Sequence, residues 1–384
     1  MKKLISIALL TAVASSVNAQ VRINGFANLV GGITSSDDTL YDYNDSIGFT
    51  PDSLFAVQVS GDVDESISAT GQIVAYGEDD YDARFIWAYM TYEATDNLQV
   101  SAGRFRVPLF TYSATLDVGY SYHWITPPES VYDVAFNNMD GFRISYNTYA
   151  GDWEYEAQLT AGDLDLPSDF GGLTTNFELE NLTTVSFKAQ RDWLTLRAVY
   201  GRAKTTFLFG AFEPLLGALA STGNAALAED IRVSKDSGTF IGGGIDIDLS
   251  SWFLSGEYTY ITTDDSVFPE TTAFYLTSGI RLGKFTPHIT FEDFEDEPEM
   301  LSAVNDIPLG TLVPLGPGGT NVELRAATLA TLGSFADERT ALSIGVRYDW
   351  RNNIALKLQY TKQDDDLNDA NDANLVRFAI NYIF

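Results

Sequence analysis

The sequence predicts an all-β protein, a transmembrane antiparallel β-barrel of sixteen strands, on three observations. Short segments that alternate apolar and polar residues recur from end to end. The connections between them alternate between short and long, and four tryptophans fall beside short connections. Period-two alternation places one set of side chains on each face of a strand, so a wall can meet lipid on one side and water on the other.

From the front, Lys2 and Lys3 precede an apolar run from Leu4 to Val17 that ends in Val17, Asn18 and Ala19. Small residues stand at both positions a signal peptidase inspects, which predicts a signal peptide over residues 1–19 and a barrel domain over residues 20–384. The run is too short for a spanning helix, and no later segment approaches the roughly 20 continuous apolar residues that one needs. Membrane residence must then be by barrel.

The formal charge of −30 becomes about −32 once the two leader lysines are removed. Such acidity excludes nucleic acid as a partner, because polyanion affinity comes mainly from Lys and Arg neutralising phosphates. The chain has no cysteine, so it offers neither a disulfide framework nor a thiolate metal site, and no cofactor is expected.

The predicted strands run over residues 21–33, 53–62, 67–77, 83–93, 98–105, 140–149, 153–162, 178–190, 194–203, 238–248, 252–262, 272–282, 285–294, 338–349, 353–363 and 374–384. An even number is what a single-chain bacterial barrel requires. Short connections include 94–97, 151–152, 191–192, 283–284 and 351–352; the long ones are 34–52, 106–139, 163–177, 204–237, 295–337 and 364–373. One rim is therefore tightly turned and the other elaborated. Trp153, Trp193, Trp252 and Trp350 adjoin the tight rim and would ring the membrane interface, where an apolar ring with a polar N–H is favoured.

Facing follows from charge. A Lys or Arg on the lipid face at the bilayer midplane costs about 2–4 kcal/mol, which turns Arg22, Arg84, Arg143, Lys188, Arg197, Arg281, Arg347, Lys357 and Arg377 toward the lumen. Glu154, Glu156, Asp246, Asp248, Glu257 and Glu292 share that parity, so the lumen carries both signs and should hold water. The last segment is the clearest: Val376, Phe378, Ile380, Tyr382 and Phe384 oppose Arg377, Ala379 and Asn381.

This ending resembles the last strand of Gram-negative outer-membrane barrels, in which a terminal Phe belongs to the signal read by the barrel-assembly machinery; the resemblance gives Phe384 that role. The whole pattern, with the long segment from GRFRVPLF at Gly103 through Asp133, resembles the sixteen-stranded bacterial porins, usually trimers, whose third outer loop folds inward and narrows the channel. The loop lacks the PEFGG-type signature of enteric general porins, so its inward placement is carried over by topology. The resemblance implies a homotrimer in the cell outer membrane, in contact with lipid and lipopolysaccharide.

On that reading the constriction candidates are Arg104 and Arg106 at the strand end, the loop carboxylates Asp117, Glu129 and Asp133, and Tyr120 and His123 among the loop rings. Acids facing wall arginines set a transverse field that orients dipolar solutes and sorts ions. The pore-wall candidates are Arg22, Arg84, Arg143, Arg281, Arg347, Lys357 and Arg377. Each of these side chains has the alternative task of pinning the loop.

The acidic runs at 292–299 and 364–372 read as solvated loop surface, with divalent bridging to lipopolysaccharide as the sharper alternative. The second run fails as a calcium loop, because Asp369 stands where the turn glycine belongs and Leu375 where the bidentate Glu belongs. With two histidines, His123 and His288, and no nucleophile spaced from a base, an enzyme is not expected. The expected function is passive diffusion of small hydrophilic solutes and ions. Alternatives are a channel selective for anions, phosphate or carboxylates, and an adhesion or receptor barrel.

Overall fold

The computed structural model describes residues 21–384 apart from 36–38, 135, 171–172, 208 and 315–320, so the expected signal peptide lies outside the described residues. Each predicted segment forms a strand, because alternating β-branched, aromatic and small polar residues suit a pleated wall with two different solvents. The wall is built from β1 (Val21–Thr34), β2 (Leu54–Asp62), β3 (Ile67–Tyr76), β4 (Ala83–Thr95), β5 (Leu98–Arg106), β6 (Asn138–Ala150), β7 (Trp153–Phe170) and β8 (Leu173–Arg191). It continues through β9 (Leu194–Phe207), β10 (Val233–Asp248), β11 (Trp252–Thr263), β12 (Glu270–Ile280) and β13 (Phe285–Glu297). A small ladder of β14 (Leu312–Pro314) and β15 (Asn321–Glu323) stands apart, and β16 (Asp337–Arg351), β17 (Ile354–Asp365) and β18 (Ala373–Ile383) complete the wall.

Every wall strand pairs antiparallel with its neighbours, and β1 pairs with β18 from Phe26 opposite Ile383 to Thr34 opposite Leu375, which closes a barrel of sixteen strands. The facing follows the predicted parity. On β18, Val376, Phe378 and Ile380 are about two-fifths exposed, whereas Leu375, Arg377, Ala379 and Asn381 are at most 2% exposed. On β17, Leu358 and Tyr360 face out while Ala355, Lys357 and Gln359 are buried.

Three of the long connections are more ordered than plain loops. Residues 163–177 are not a loop: β7 and β8 continue as a long hairpin that pairs as far as Phe170 opposite Leu173, after a register shift between Gly162 and Leu164. Asp163 and Asp165 resemble loop chemistry, but Leu164 and Leu166 stand opposite Leu179 and Phe177, and these apolar cross-strand pairs extend the ladder beyond the membrane wall. The connections 204–237 and 295–337 fold into α2 (Glu213–Ser221), α3 (Ala225–Ile231), a 3-10 helix over Glu299–Asp306 and α4 (Leu324–Gly333), following α1 (Glu129–Tyr132) earlier in the chain. Leu215, Leu219, Ile231, Ile307, Leu324 and Leu332 bury against one another, giving the loop end its own apolar core.

At the seam, Gly25 and Phe384 exchange both backbone hydrogen bonds at 2.9 Å. The Phe384 ring stacks on Phe55 and Tyr382, with centroids 6.0 and 5.4 Å apart. A Cβ at Gly25 would lie 2.2 Å from Phe384 Cζ and 2.8 Å from the Ala56 carbonyl oxygen. Gly25→Ala should therefore cost about 1–3 kcal/mol through overpacking and lower the yield of barrel refolded in detergent, read by heat-dependent mobility. Phe384→Ala in the same chain should recover part of the loss, since it removes the ring but leaves the Ala56 clash.

Candidate constriction site

The segment between β5 and β6, residues 107–137, is held by rings first. Phe110 meets Tyr132 at 4.6 Å, and Tyr112 meets Trp124 edge-on at 5.5 Å. Trp124 in turn meets wall Tyr275 at 5.5 Å. Val107, Leu109, Ile125 and Val131 are buried with them. Pro127 and Pro128 precede α1, where the missing N–H of proline costs nothing and its fixed φ favours the helix start.

Polar contacts then fix the segment to residues on the inner parity of the wall. Arg197 on β9 donates to the Leu109 carbonyl at 2.7 Å and to that of Pro108. Glu257 on β11 accepts from the Thr111 amide at 2.8 Å and from the Tyr132 hydroxyl. Trp124 Nε1 donates to Thr277 and Thr290 at 3.0 and 2.9 Å, and the Ser130 amide donates to Glu292 at 3.2 Å. Arg347 donates to the carbonyls of Tyr120 and Tyr122 at 2.7 and 2.9 Å. Lys357 donates to those of Gly119 and Trp124 and lies 4.7 Å over the Tyr122 ring. Asn28 donates to the Asp117 carbonyl at 2.9 Å. Gly119 passes so close to the seam that a Cβ there would sit 2.3 Å from Asn381 Nδ2 and 2.6 Å from Asn28 Oδ1.

The predicted site residues therefore separate into groups. Arg347, Lys357 and Arg377 lie beneath the segment: Arg347 pairs with Asp349 at 2.8 Å, and Arg377 pairs with Asp52 and donates to Thr126, both at 3.0 Å. These three hold the segment. Arg106 is buried in an ion pair with Asp117. Arg104 pairs with its cross-strand neighbour Asp140 at 2.6 Å rather than with a loop carboxylate. Arg22 pairs with Asp62 and Arg281 with Asp248 at the tight-turn rim, and Arg84 pairs with Asp79 at the loop rim. Asp133 is exposed.

Tyr120 reaches the tight-turn end, where its hydroxyl donates to the Asn352 carbonyl at 2.8 Å. His123 stacks on Phe253 at 4.2 Å. Burial, aided by Arg347, pushes its pKa down to about 2, so the ring is neutral across the physiological range. Glu129 accepts from the Thr126 hydroxyl at 3.1 Å. Burial raises its pKa to about 8, against the pull of Arg377, so at pH 7 it is mostly uncharged.

The segment fills the side of the lumen next to β9 through β18, and an open gap of about 270 Å³ remains on the other side. Pro108, Phe110, Thr111, Ser113 and Ala114 bound it on the loop, while Trp87, Tyr89, Arg106, Arg143, Glu156, Gln158, Lys188 and Arg197 bound it on the wall. Arg106 also borders a cavity toward the loop end, and Trp87 and Ala114 border one toward the tight turns, so the gap shares lining residues with open space on both sides. Lys188 is paired with Glu156 at 2.7 Å. Arg143, lying 5.2 Å over the Tyr89 ring and 5.0 Å over that of Phe105, forms no ion pair among the described residues, and neither does Arg197. Sequence reasoning did not single out Trp87 and Tyr89; the alternation of Trp87, Tyr89 and Thr91 against Ala88, Met90 and Tyr92 is the signal that places them inward.

The profile of the Gram-negative porin family matches residues 6–382. The chain belongs to that family. Among solved structures it is similar to OmpF of Salmonella typhi, in complex with daunomycin, at 11% identity and TM-score 0.59, covering 95% of this chain and 98% of that one. An anion-selective porin from Comamonas acidovorans has 11% identity and TM-score 0.58, covering 95% and 100%. The trimer form of OmpT from Vibrio cholerae has 12% identity and TM-score 0.53, covering 95% and 99%. At these identities the likeness concerns the fold. A search of curated proteins finds no match.

Replacing the buried cation under this porin's loop tests its tether. Lys357→Met should leave the Gly119 and Trp124 carbonyls unsatisfied at about 1–3 kcal/mol each, lowering the midpoint of denaturant unfolding and adding flicker to single-channel current.

Proposed function

We propose that this outer-membrane porin passes small hydrophilic solutes through the gap beside residues 107–137, and that the gap favours anions. The observation that carries the preference is the pair of guanidiniums, Arg143 and Arg197, bordering the gap without a carboxylate partner. In a narrow, low-dielectric passage such charges act strongly, while loop acids farther than a Debye length of about 8 Å are screened by salt. The overall charge of −30 then governs the approach to the mouth, and the local basic gap governs passage.

The same reading gives residues 1–19 as a cleaved leader, Phe384 as part of the assembly signal and a homotrimer as the working form. A shallow dent on the lipid side of β1 through β5, floored by Gly61, Ala69, Gly71, Ala88 and Ala102, supports the trimer by offering close approach to a neighbouring barrel.

Reversal potential in a potassium chloride gradient tests the preference. Arg143→Gln should shift it toward cations while conductance changes little, because the side-chain volume is nearly kept; a potential unmoved by this change overturns the reading. Shortening the loop between Ser113 and Asp133 should raise conductance and admit larger sugars. At pH 7, Asp117→Asn should move selectivity toward anions and Glu129→Gln should not. Above pH 8 Glu129 ionises, so the Gln variant should then diverge from the parent toward anions.

A further inference from the structure

We propose that the loop-side half of the lumen contains a second site, separate from the gap, that binds one- or two-ring aromatic amines. The inner parity of a water-filled barrel is expected to be polar, yet from β8 to β13 it turns apolar near the loop end. Phe177, Phe240, Ile261 and Phe294 from the wall meet Phe268 and Phe335 from the outer loops around an unfilled cavity of about 350 Å³. That volume is at the lower end for small-molecule pockets. Water gains few hydrogen bonds among phenyl rings, so a flat apolar solute displaces it favourably.

The polar groups bordering the cavity choose the head group. Asp133 and Asp296 both border it, and neither forms an ion pair among the described residues; Asp296 accepts only from the Thr271 hydroxyl at 2.5 Å. Arg202 also adjoins the cavity, but it stands on the outward parity of β9, exposed and held by Ser237 Oγ at 3.1 Å. Arg339, which lies 4.2 Å over the Phe294 ring, is already paired with Asp337 at 2.8 Å. Two carboxylates outside any ion pair, with Arg339 paired and Arg202 on the outward parity, favour a cationic solute, and phenyl faces add cation–π attraction for an ammonium. The acidic chain draws cations toward the same mouth.

Titration calorimetry on the detergent-refolded full chain tests this with three indoles of similar size: tryptamine, tryptophol and indole-3-propionate. Tryptamine should bind saturably at one site per chain, about tenfold tighter than indole-3-propionate, with tryptophol between them. Ala203, which borders the cavity away from the gap, allows it to be filled. Ala203→Trp should weaken tryptamine by at least about tenfold with single-channel conductance kept, and the conductance reports an intact barrel. If that variant fails to fold, Phe268→Ser, in a loop, should weaken all three indoles together. Asp133→Asn with Asp296→Asn should leave tryptophol binding unchanged and erase the advantage of the amine. Heat that does not saturate, binding untouched by both pocket variants, or a preference for the carboxylate would each overturn the proposal.

Discussion

Inside the bilayer there is no water to satisfy a peptide group, so every backbone N–H and C=O in the wall must find a partner in the wall itself. Pairing β1 with β18 meets that condition at the last open edge. Closure also removes any freedom of facing. With register fixed all round, odd and even positions along each strand belong irrevocably to lipid or lumen, and the charged residues of the sequence have one tolerable direction.

What the wall then does with its inward charges is uneven. From β9 round to β18 they are consumed by the loop: cations take its carbonyls and carboxylates take its amides and a tyrosine hydroxyl. Buried Lys357 and Arg347 are tolerable because carbonyl oxygens and ring faces replace their water, and removing either partner would strand the other. From β4 to β8, Arg143, Glu156 and Lys188 border the open gap, while Arg106 is already paired with loop Asp117. The loop thus acts as a wedge seated on one half of the barrel, and the open gap lies along the opposite half.

The wall was legible in the sequence almost residue by residue, since period-two alternation and turn residues are local signals that closure reinforces. The division of labour among the inward charges was not. Arg143 and Arg347 have the same residue type and parity, but one borders open space and the other lies under Tyr120 and Tyr122; only the path of the loop across the lumen distinguishes them. The long β7–β8 hairpin was hidden for a related reason. Its acids resemble a loop until Leu164 and Leu166 are seen facing Leu179 and Phe177 across the ladder. Trp124 and Trp153 likewise look alike in sequence, and burial between Thr277 and Thr290 against a place beside a tight turn separates them.

The seam has a kinetic meaning as well. Asn28 and Asn381 hydrogen-bond across 353 residues of chain, so the contact that finishes the barrel is among the most distant in sequence that the chain can make. Hairpins between neighbouring strands can form early and cheaply, but the seam must wait for nearly all of them, and loop-closure entropy makes it slow. Until it forms, β1 and β18 present two bare edges able to recruit strands from other chains. A net charge of −30 supplies mutual repulsion during that interval, which gives the acidity of the outer loops a use before there is any membrane around the protein.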